Sequence, residues 1–234
     1  MLPEKDKKEI VRAMFNDISP KYDFLNHFLS FGIDRLWRKK LVKLLRQSKP
    51  SEILDVATGT GDLALAVAKI NPLKIIGIDI SEQMLDIGRS KLIKPGLDKL
   101  ISFQQADAEQ IPFPDNSFDA ITVAFGVRNF ENLELGISEM RRVLRPGGWM
   151  YILEFSHPQL FYIKKLYHLY SRFFIPSVGR LISGNNQAYS YLPESVAAFP
   201  YGQKFVEIIE KQGLFKVSFI PLSMGIASIY YGQK

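Results

Sequence analysis

The sequence predicts a doubly wound α/β fold with a mostly parallel seven-stranded sheet, N-terminal helices and a helical lid insertion. Three observations carry that expectation. Short apolar runs alternate with segments of helical spacing between residues 52 and 155, and such alternation implies parallel pairing through right-handed crossovers. The apolar runs are continuous, as in strands covered on both faces. A glycine-rich loop joins the first run to the helix that follows it, at the edge where open α/β sheets hold ligands.

The elements follow in order. Residues 5–19 place Ile10, Val11, Met14, Phe15 and Ile18 at helical spacing, and Pro20 is expected to end that segment. A second helix is expected over 34–46, with Leu36, Trp37, Leu41, Leu44 and Leu45. Together, residues 1–48 form a helical cap. Strands are expected at 52–57, 74–80, 101–105 and 118–124, and helices at 62–70, 82–92 and 132–144. Ser81 is the expected N-cap of its helix. Pro146-Gly147-Gly148 reads as a turn before a strand at 149–155. Residues 156–200 are rich in aromatic, proline and basic residues, break the alternation, and are read as a lid or substrate insertion. A helix at 204–212 and strands at 215–220 and 226–231 follow. The short gap between those strands suggests an antiparallel hairpin at the end of the sheet. No linker or internal repeat divides the 234 residues, so one domain over 1–234 is expected.

Composition narrows the chemistry. The absence of cysteine removes disulfides, thiolate nucleophiles and zinc–sulfur sites. The three histidines, His27, His157 and His168, lie far apart in sequence, and no metal is expected. His157 is a plausible base by residue type but stands beside Pro158, as a surface histidine would. No run is apolar for the roughly 20 residues of a membrane span. The opening Met1-Leu2-Pro3-Glu4-Lys5-Asp6 lacks the apolar centre of a secretory signal, so a cytoplasmic protein is expected. The net charge of +6 fits nucleic acid, anionic lipid, an acidic substrate or plain solvation. With no RNA-binding appendage and dispersed basic residues, no nucleic acid is expected.

The strongest local signal is Asp55-Val56-Ala57-Thr58-Gly59-Thr60-Gly61-Asp62. Gly59 and Gly61 permit a tight turn and close approach of backbone to a ligand, and the next helix aims its N–H groups there. One strand later, Asp79 in Gly77-Ile78-Asp79-Ile80 can accept from both hydroxyls of a ribose. Loop plus acid reads as a site for a nucleoside-containing cofactor. Gly59-x-Gly61-x-x-Ala64 also fits the loose dinucleotide fingerprint; acids at 55 and 62 favour a cationic ligand instead. Asp107, in Gln105-Ala106-Asp107-Ala108-Glu109, can take the exocyclic amine of adenine.

Loop, acid, acid and turn, in order at successive strand ends, resemble the Class I S-adenosylmethionine-dependent methyltransferases. Further segments narrow the likeness: Lys21-Tyr22-Asp23-Phe24-Leu25-Asn26, Phe125-Gly126-Val127-Arg128-Asn129, Arg145-Pro146-Gly147-Gly148 with Leu153-Glu154-Phe155-Ser156, and Tyr191-Leu192-Pro193-Glu194. This set resembles the demethylmenaquinone and ubiquinone-biosynthesis C-methyltransferases over nearly the whole chain. Leu25, Asp34, Ala124 and Arg145 depart from the residues common there.

The resemblance implies a Rossmann-like methyltransferase fold and S-adenosylmethionine as cofactor, held by Asp55, Thr58, Gly59, Gly61, Asp62, Asp79, Asp107, Ala108 and Ala124. It implies C-methylation of a reduced polyprenylated quinone, demethylmenaquinol to menaquinol first and a methoxybenzoquinol second. Arg128, Asn129 and Tyr22 are the implied catalytic residues. A fixed guanidinium at 128 would orient the quinol and stabilise phenolate character, unless it pairs with a helix carboxylate. Tyr22, Asp23 and Asn26 are placed between the two N-terminal helices, either closing over the donor methyl or capping a turn. Residues 160–174, with aromatic residues and the basic stripe Lys164, Lys165, His168 and Arg172, fit peripheral contact with the inner face of a membrane or a lid on the protein's own domain. Two other readings stay open: another small-molecule methyltransferase of this fold, acting on oxygen or carbon, and a non-catalytic nucleotide-cofactor-binding protein.

Overall fold

The computed structural model describes residues 7–158, 162 and 186–234. The lid reading of 156–200 and the membrane reading of 160–174 therefore lie largely outside the described residues. The elements are α1 (Lys7–Leu29), α2 (Ile33–Leu45), β1 (Glu52–Val56), α3 (Asp62–Val67), β2 (Lys74–Asp79), α4 (Glu82–Ser90), α5 (Leu97–Leu100), β3 (Ile101–Gln105), β4 (Phe118–Ala124), α6 (Leu133–Val143), β5 (Leu144–Phe155), α7 (Asn186–Ala198), α8 (Gln203–Lys211), β6 (Phe215–Leu222) and β7 (Ala227–Gln233).

Seven strands form one sheet in the order β3-β2-β1-β4-β5-β7-β6. The first five pair in parallel, and β7 runs antiparallel to both β5 and β6. The C-terminal hairpin thus enters the sheet edge with its second strand inside. Strand periodicity of two sorts the core into two layers. Leu54, Val56, Ile76, Ile78, Ile121 and Val123 face α6 and α8 through Ile137, Met140 and Ile209. Ile53, Ile75, Ala120 and Leu153 face α2 and α3 through Trp37, Leu41, Leu45, Leu63 and Val67. The edge strands β3 and β6 are more exposed than the continuous apolar reading implies.

Two helix starts follow side-chain chemistry. Ser81 Oγ accepts from Met84 N at 3.2 Å, and Asn132 Oδ1 accepts from Leu135 N at 3.0 Å, each satisfying an orphan first-turn donor.

Two expectations are corrected. Pro20 does not end a helix: α1 runs through it to Leu29. Proline removes the N–H that would bond the carbonyl four residues back, and Ser19 Oγ donates to that carbonyl, Asn16 O, at 2.9 Å. Tyr22, Asp23 and Asn26 consequently lie within α1, not between two helices. Pro146-Gly147-Gly148 is not a turn but an irregular stretch of β5. Phe118 pairs with Leu144 and Ala120 with Trp149, so the extra residues bulge out. Gly147 N donates to Lys234 O and Lys234 N to Gly148 O.

A third apolar cluster positions the site. Met14, Ile18 and Leu25 of α1 pack on Met84 of α4, with Tyr191 and Leu192 of α7 against them. This lays α1 across the C-terminal ends of the strands.

Candidate active site

The loop after β1 is fixed from below by Asp55. Its buried carboxylate accepts from Thr58 Oγ1 at 2.5 Å and from Thr122 Oγ1 of β4 at 2.6 Å. Burial pushes this acid up to about 6 against the pull of the two hydroxyls. Gly61, at φ 77°, has no room for a side chain: a Cβ there would lie 2.5 Å from the Phe103 ring. Gly126 after β4 approaches Ala57 as closely. Ala57 and Phe125 are both held at positive φ, 49° and 61°, and both line the cavity. Such backbone persists only where its surroundings over-determine it.

Asp79 closes the loop from the side. Its Oδ2 accepts from Gly59 N at 2.8 Å and its Oδ1 from Ser81 N at 2.9 Å. Burial raises this acid, and the backbone N–H groups of Ser81, Gly59 and Ile80 oppose the rise. Each carboxylate oxygen keeps a further lone pair for a ligand.

These groups border a cavity between the strand ends and α1. Gly59, Asp79, Asp107, Ala108 and Ala124 line it, as do Tyr22 and Asn129. Five other sequence candidates lie behind its wall. Asp55 and Thr58 bond to each other, and Gly61 packs on Phe103. Asp62 faces Lys91 Nζ at 2.8 Å and His27 Nε2 at 3.4 Å. Their negative charge is thus directed at hydroxyls and cations of the protein. Arg128 Nη1 pairs with Glu154 Oε1 of β5 at 2.9 Å and also donates to Phe125 O. Its guanidinium lies over the Phe155 ring at 5.4 Å. The carboxylate partner comes from a strand rather than a helix.

Sequence reasoning gave no role to Glu154, Tyr191, Lys91 or Lys8. Glu154 is fully buried; a lone acid in the apolar run Met150-Tyr151-Ile152-Leu153-Glu154-Phe155 is the signal that identifies it. Burial raises it, and Arg128 opposes the rise. Tyr191 Oη donates to Asn129 Oδ1 at 3.2 Å. Burial raises Tyr22, with the Arg128 cation and the Asn26 side chain opposing, and burial raises Tyr191 too. Both remain protonated phenols. At the opposite end of the cavity Lys8 Nζ donates to Asp107 Oδ2 at 2.6 Å. His157 Nε2 meets Val196 O at 3.2 Å and its ring lies against Tyr201, away from the cavity lining.

His27, Asp34 and Asp62 bring ligand atoms within 4.8 Å of one another. Arg38 pairs with Asp34 and lies 3.8 Å from Asp62, so a guanidinium already supplies the positive charge. The donor set is an ion-pair network joining α1, α2 and the start of α3.

Known proteins agree with this architecture. The curated demethylmenaquinone methyltransferase of Bacteroides fragilis is 49% identical over 229 residues, covering 97% of this chain and 94% of that one. The ubiquinone/menaquinone biosynthesis C-methyltransferase UbiE of Geobacter sulfurreducens is 45% identical, covering 98% and 90%. The solved putative S-adenosylmethionine-dependent methyltransferase of Methanococcus maripaludis shares the fold with a TM-score of 0.66 at 18% identity, covering 94% of each chain. Residues 2–234 match one family along their whole length, and the chain belongs to the ubiE/COQ5 methyltransferase family.

Proposed function

We propose that this chain transfers a methyl group from S-adenosylmethionine to a ring carbon of a reduced polyprenylated quinone, demethylmenaquinol first and a methoxybenzoquinol second. The observation that carries the reading is one cavity with two kinds of wall. One wall offers the Gly59 backbone, Asp79 and Asp107; the other offers Tyr22 and Asn129, backed by Tyr191 and Arg128. The names of the relatives supply the acceptor class.

The residues fit the cofactor. A Cβ on Gly59 would meet nothing nearer than Tyr22 Cε1 at 3.9 Å, so the backbone there is open to a ligand. Asp79 would take the ribose hydroxyls, and Asp107 the adenine amine. When bound, S-adenosylmethionine supplies an electrophilic methyl on its sulfonium. A quinol ring carbon becomes a competent nucleophile as the neighbouring hydroxyl loses its proton, so charge develops on oxygen. Preorganised donors aimed at that charge are the main electrostatic device available to the protein. Tyr22 and Asn129 are such donors. The Arg128 cation stands behind them, and its Nε is buried with no acceptor among the described residues. Met84, Phe15 and Phe130 on the wall exclude water from the reacting atoms.

A polyprenyl tail calls for access to lipid, and contact through residues 160–174 belongs to the same proposal, together with action at the cytoplasmic face. No helix among the described residues is long and apolar enough to cross a membrane. Sedimentation with anionic liposomes, with and without tailed substrate, tests that contact.

For the reaction, the purified protein is incubated with S-adenosylmethionine and either a reduced demethylnaphthoquinone or a reduced methoxybenzoquinone. Product mass reports methyl transfer, and NMR separates carbon from oxygen methylation. A C-methylated naphthoquinol is expected. No product on either ring, with cofactor binding shown by a raised melting temperature, overturns the quinol assignment.

A further inference from the structure

The corner where α1 meets α2 exposes an apolar patch that neither the cofactor cavity nor the sheet uses. Phe24, Phe28, Phe31, Ile33 and Leu36 are 59%, 43%, 71%, 37% and 60% exposed. Phe24 and Phe28, one turn apart on α1, stack with ring centroids 5.8 Å apart. Phe31 is the most exposed of the five and has φ 51°, a conformation that bulky residues rarely adopt. A turn alone would favour glycine or asparagine there. Soluble proteins rarely leave several large apolar side chains contiguous without a use for them.

Charge around the patch is mostly basic, with Asp17 as the exposed acid one turn before Lys21 on α1. On α1, Lys21 stands one turn before Phe24 on the same face. On α2, Lys39, Lys40 and Lys43 continue the face begun by Ile33 and Leu36, opposite the buried Trp37, Leu41 and Leu45. Every exposed charged side chain between residues 18 and 49 is basic. The two acids in that stretch are turned inward, Asp23 onto Lys91 and Asp34 onto Arg38. The corner is therefore apolar at its tip and cationic along its α2 flank. It lies on the cavity side of the molecule, since α1 puts Tyr22 on the cavity wall and α2 packs Trp37 on Phe125.

We propose that this corner docks on the surface of an anionic phospholipid bilayer. Its phenylalanines and aliphatic residues would enter the headgroup–acyl boundary while the lysines meet lipid phosphates. A second copy of the chain is a poorer occupant. A two-fold interface would set the patch against itself and bring the two cationic flanks together. A nucleic acid would satisfy the lysines but leave Ile33 and Leu36 without a partner. The inference stands on the patch and its charge, independent of the acceptor's identity.

The test is co-sedimentation of the full chain with phosphatidylglycerol-containing vesicles and with pure phosphatidylcholine vesicles. Binding to the first and not the second is expected, weakening as salt rises. Lys39→Gln, Lys40→Gln and Lys43→Gln together should weaken binding on the order of a hundredfold, at about fivefold per lysine. Phe24→Ser with Phe28→Ser and Phe31→Ser should abolish it. In both variants, a melting temperature that still rises with S-adenosylhomocysteine shows that the fold is intact. Three results overturn the proposal: wild-type protein that stays in solution with anionic vesicles; variants that are folded and bind as well as wild type; or a dimer that the phenylalanine changes split while lipid binding is unaffected.

Discussion

The two walls of the cavity are built in different ways. The proposed cofactor wall is local: Gly59, Asp79 and Asp107 stand at the ends of β1, β2 and β3, and backbone N–H groups hold Asp79 in place. The proposed acceptor wall is assembled from afar. Tyr22 comes from α1, Asn129 from the turn after β4, Glu154 from β5 and Tyr191 from α7. It rests on side-chain packing and one buried ion pair. A wall held by strand ends tolerates substitution of its neighbours. A wall held by a buried pair depends on both partners at once.

Glu154→Ala gives the largest expected effect. It leaves the Arg128 guanidinium buried without its carboxylate, and breaking a buried pair on one side costs about 3–5 kcal/mol. A melting temperature lower by roughly 10 °C is expected for a domain of this size. An unchanged melting temperature would mean that packing alone supports the acceptor wall. Asp79→Asn should act on the other wall, weakening S-adenosylmethionine by about 3 kcal/mol, roughly a hundredfold, because charge-assisted hydrogen bonds are lost. Calorimetric titration measures this, and the KM for the quinol should change little. Comparable losses for both ligands would erase the distinction between the walls.

Asp55 sharpens the comparison through pH. Folded, its carboxyl keeps a proton up to about 6; unfolded, it releases the proton near 3.9. Between those values the folded state binds more protons, so this group's stabilisation is complete below the lower value. It is lost as pH rises through the upper one. The loss amounts to about 2–3 kcal/mol at 1.36 kcal/mol per unit. Asp34, Asp119 and Glu139 are held below their ordinary values by hydrogen-bonded arginines and neighbouring donors. They contribute in the opposite sense as pH falls. Urea unfolding of wild type and Asp55→Asn across this window isolates the Asp55 part: the variant should lose less stability on going to neutral pH. Parallel curves would show that Asp55 is already ionised in the fold.

The same division governs what could be read from the sequence. The alternation of strands and helices, the C-terminal hairpin and the helix cap at Ser81 follow from spacing and local donors. Gly59, Asp79 and Asp107 are legible because one short loop and two strand ends carry them. The continuation of α1 past Pro20 is not, since it depends on Ser19 replacing a lost donor and on Met84 and Tyr191 packing against the helix. Charge placement is the other blind spot. Acids at 55 and 62 look like ligands for a cation, and folding turns one onto threonine hydroxyls and the other onto Lys91. Arg128 shows the same limit: its partner Glu154 is 26 residues away, and no local pattern joins them.

Lys91 is the seam between the two walls. From the end of α4 its Nζ reaches Asp23 of α1 at 2.5 Å, Thr60 Oγ1 of the loop at 2.9 Å and Asp62 at 2.8 Å. Thr60 itself donates to Asp23 at 2.5 Å. These side chains are about a quarter exposed, so water and salt weaken the pairs, and about 1 kcal/mol of coupling between Asp23 and Lys91 is the expectation for such a network. A double-mutant cycle with Asp23→Asn and Lys91→Met measures it. Amide exchange should quicken in α1 while β1 and β2 stay protected, because only α1 depends on the seam for its seat. Zero coupling with unchanged exchange would transfer that task to Met14, Ile18 and Met84. The acceptor wall would then be held by apolar contact wherever Arg128 and Glu154 do not reach.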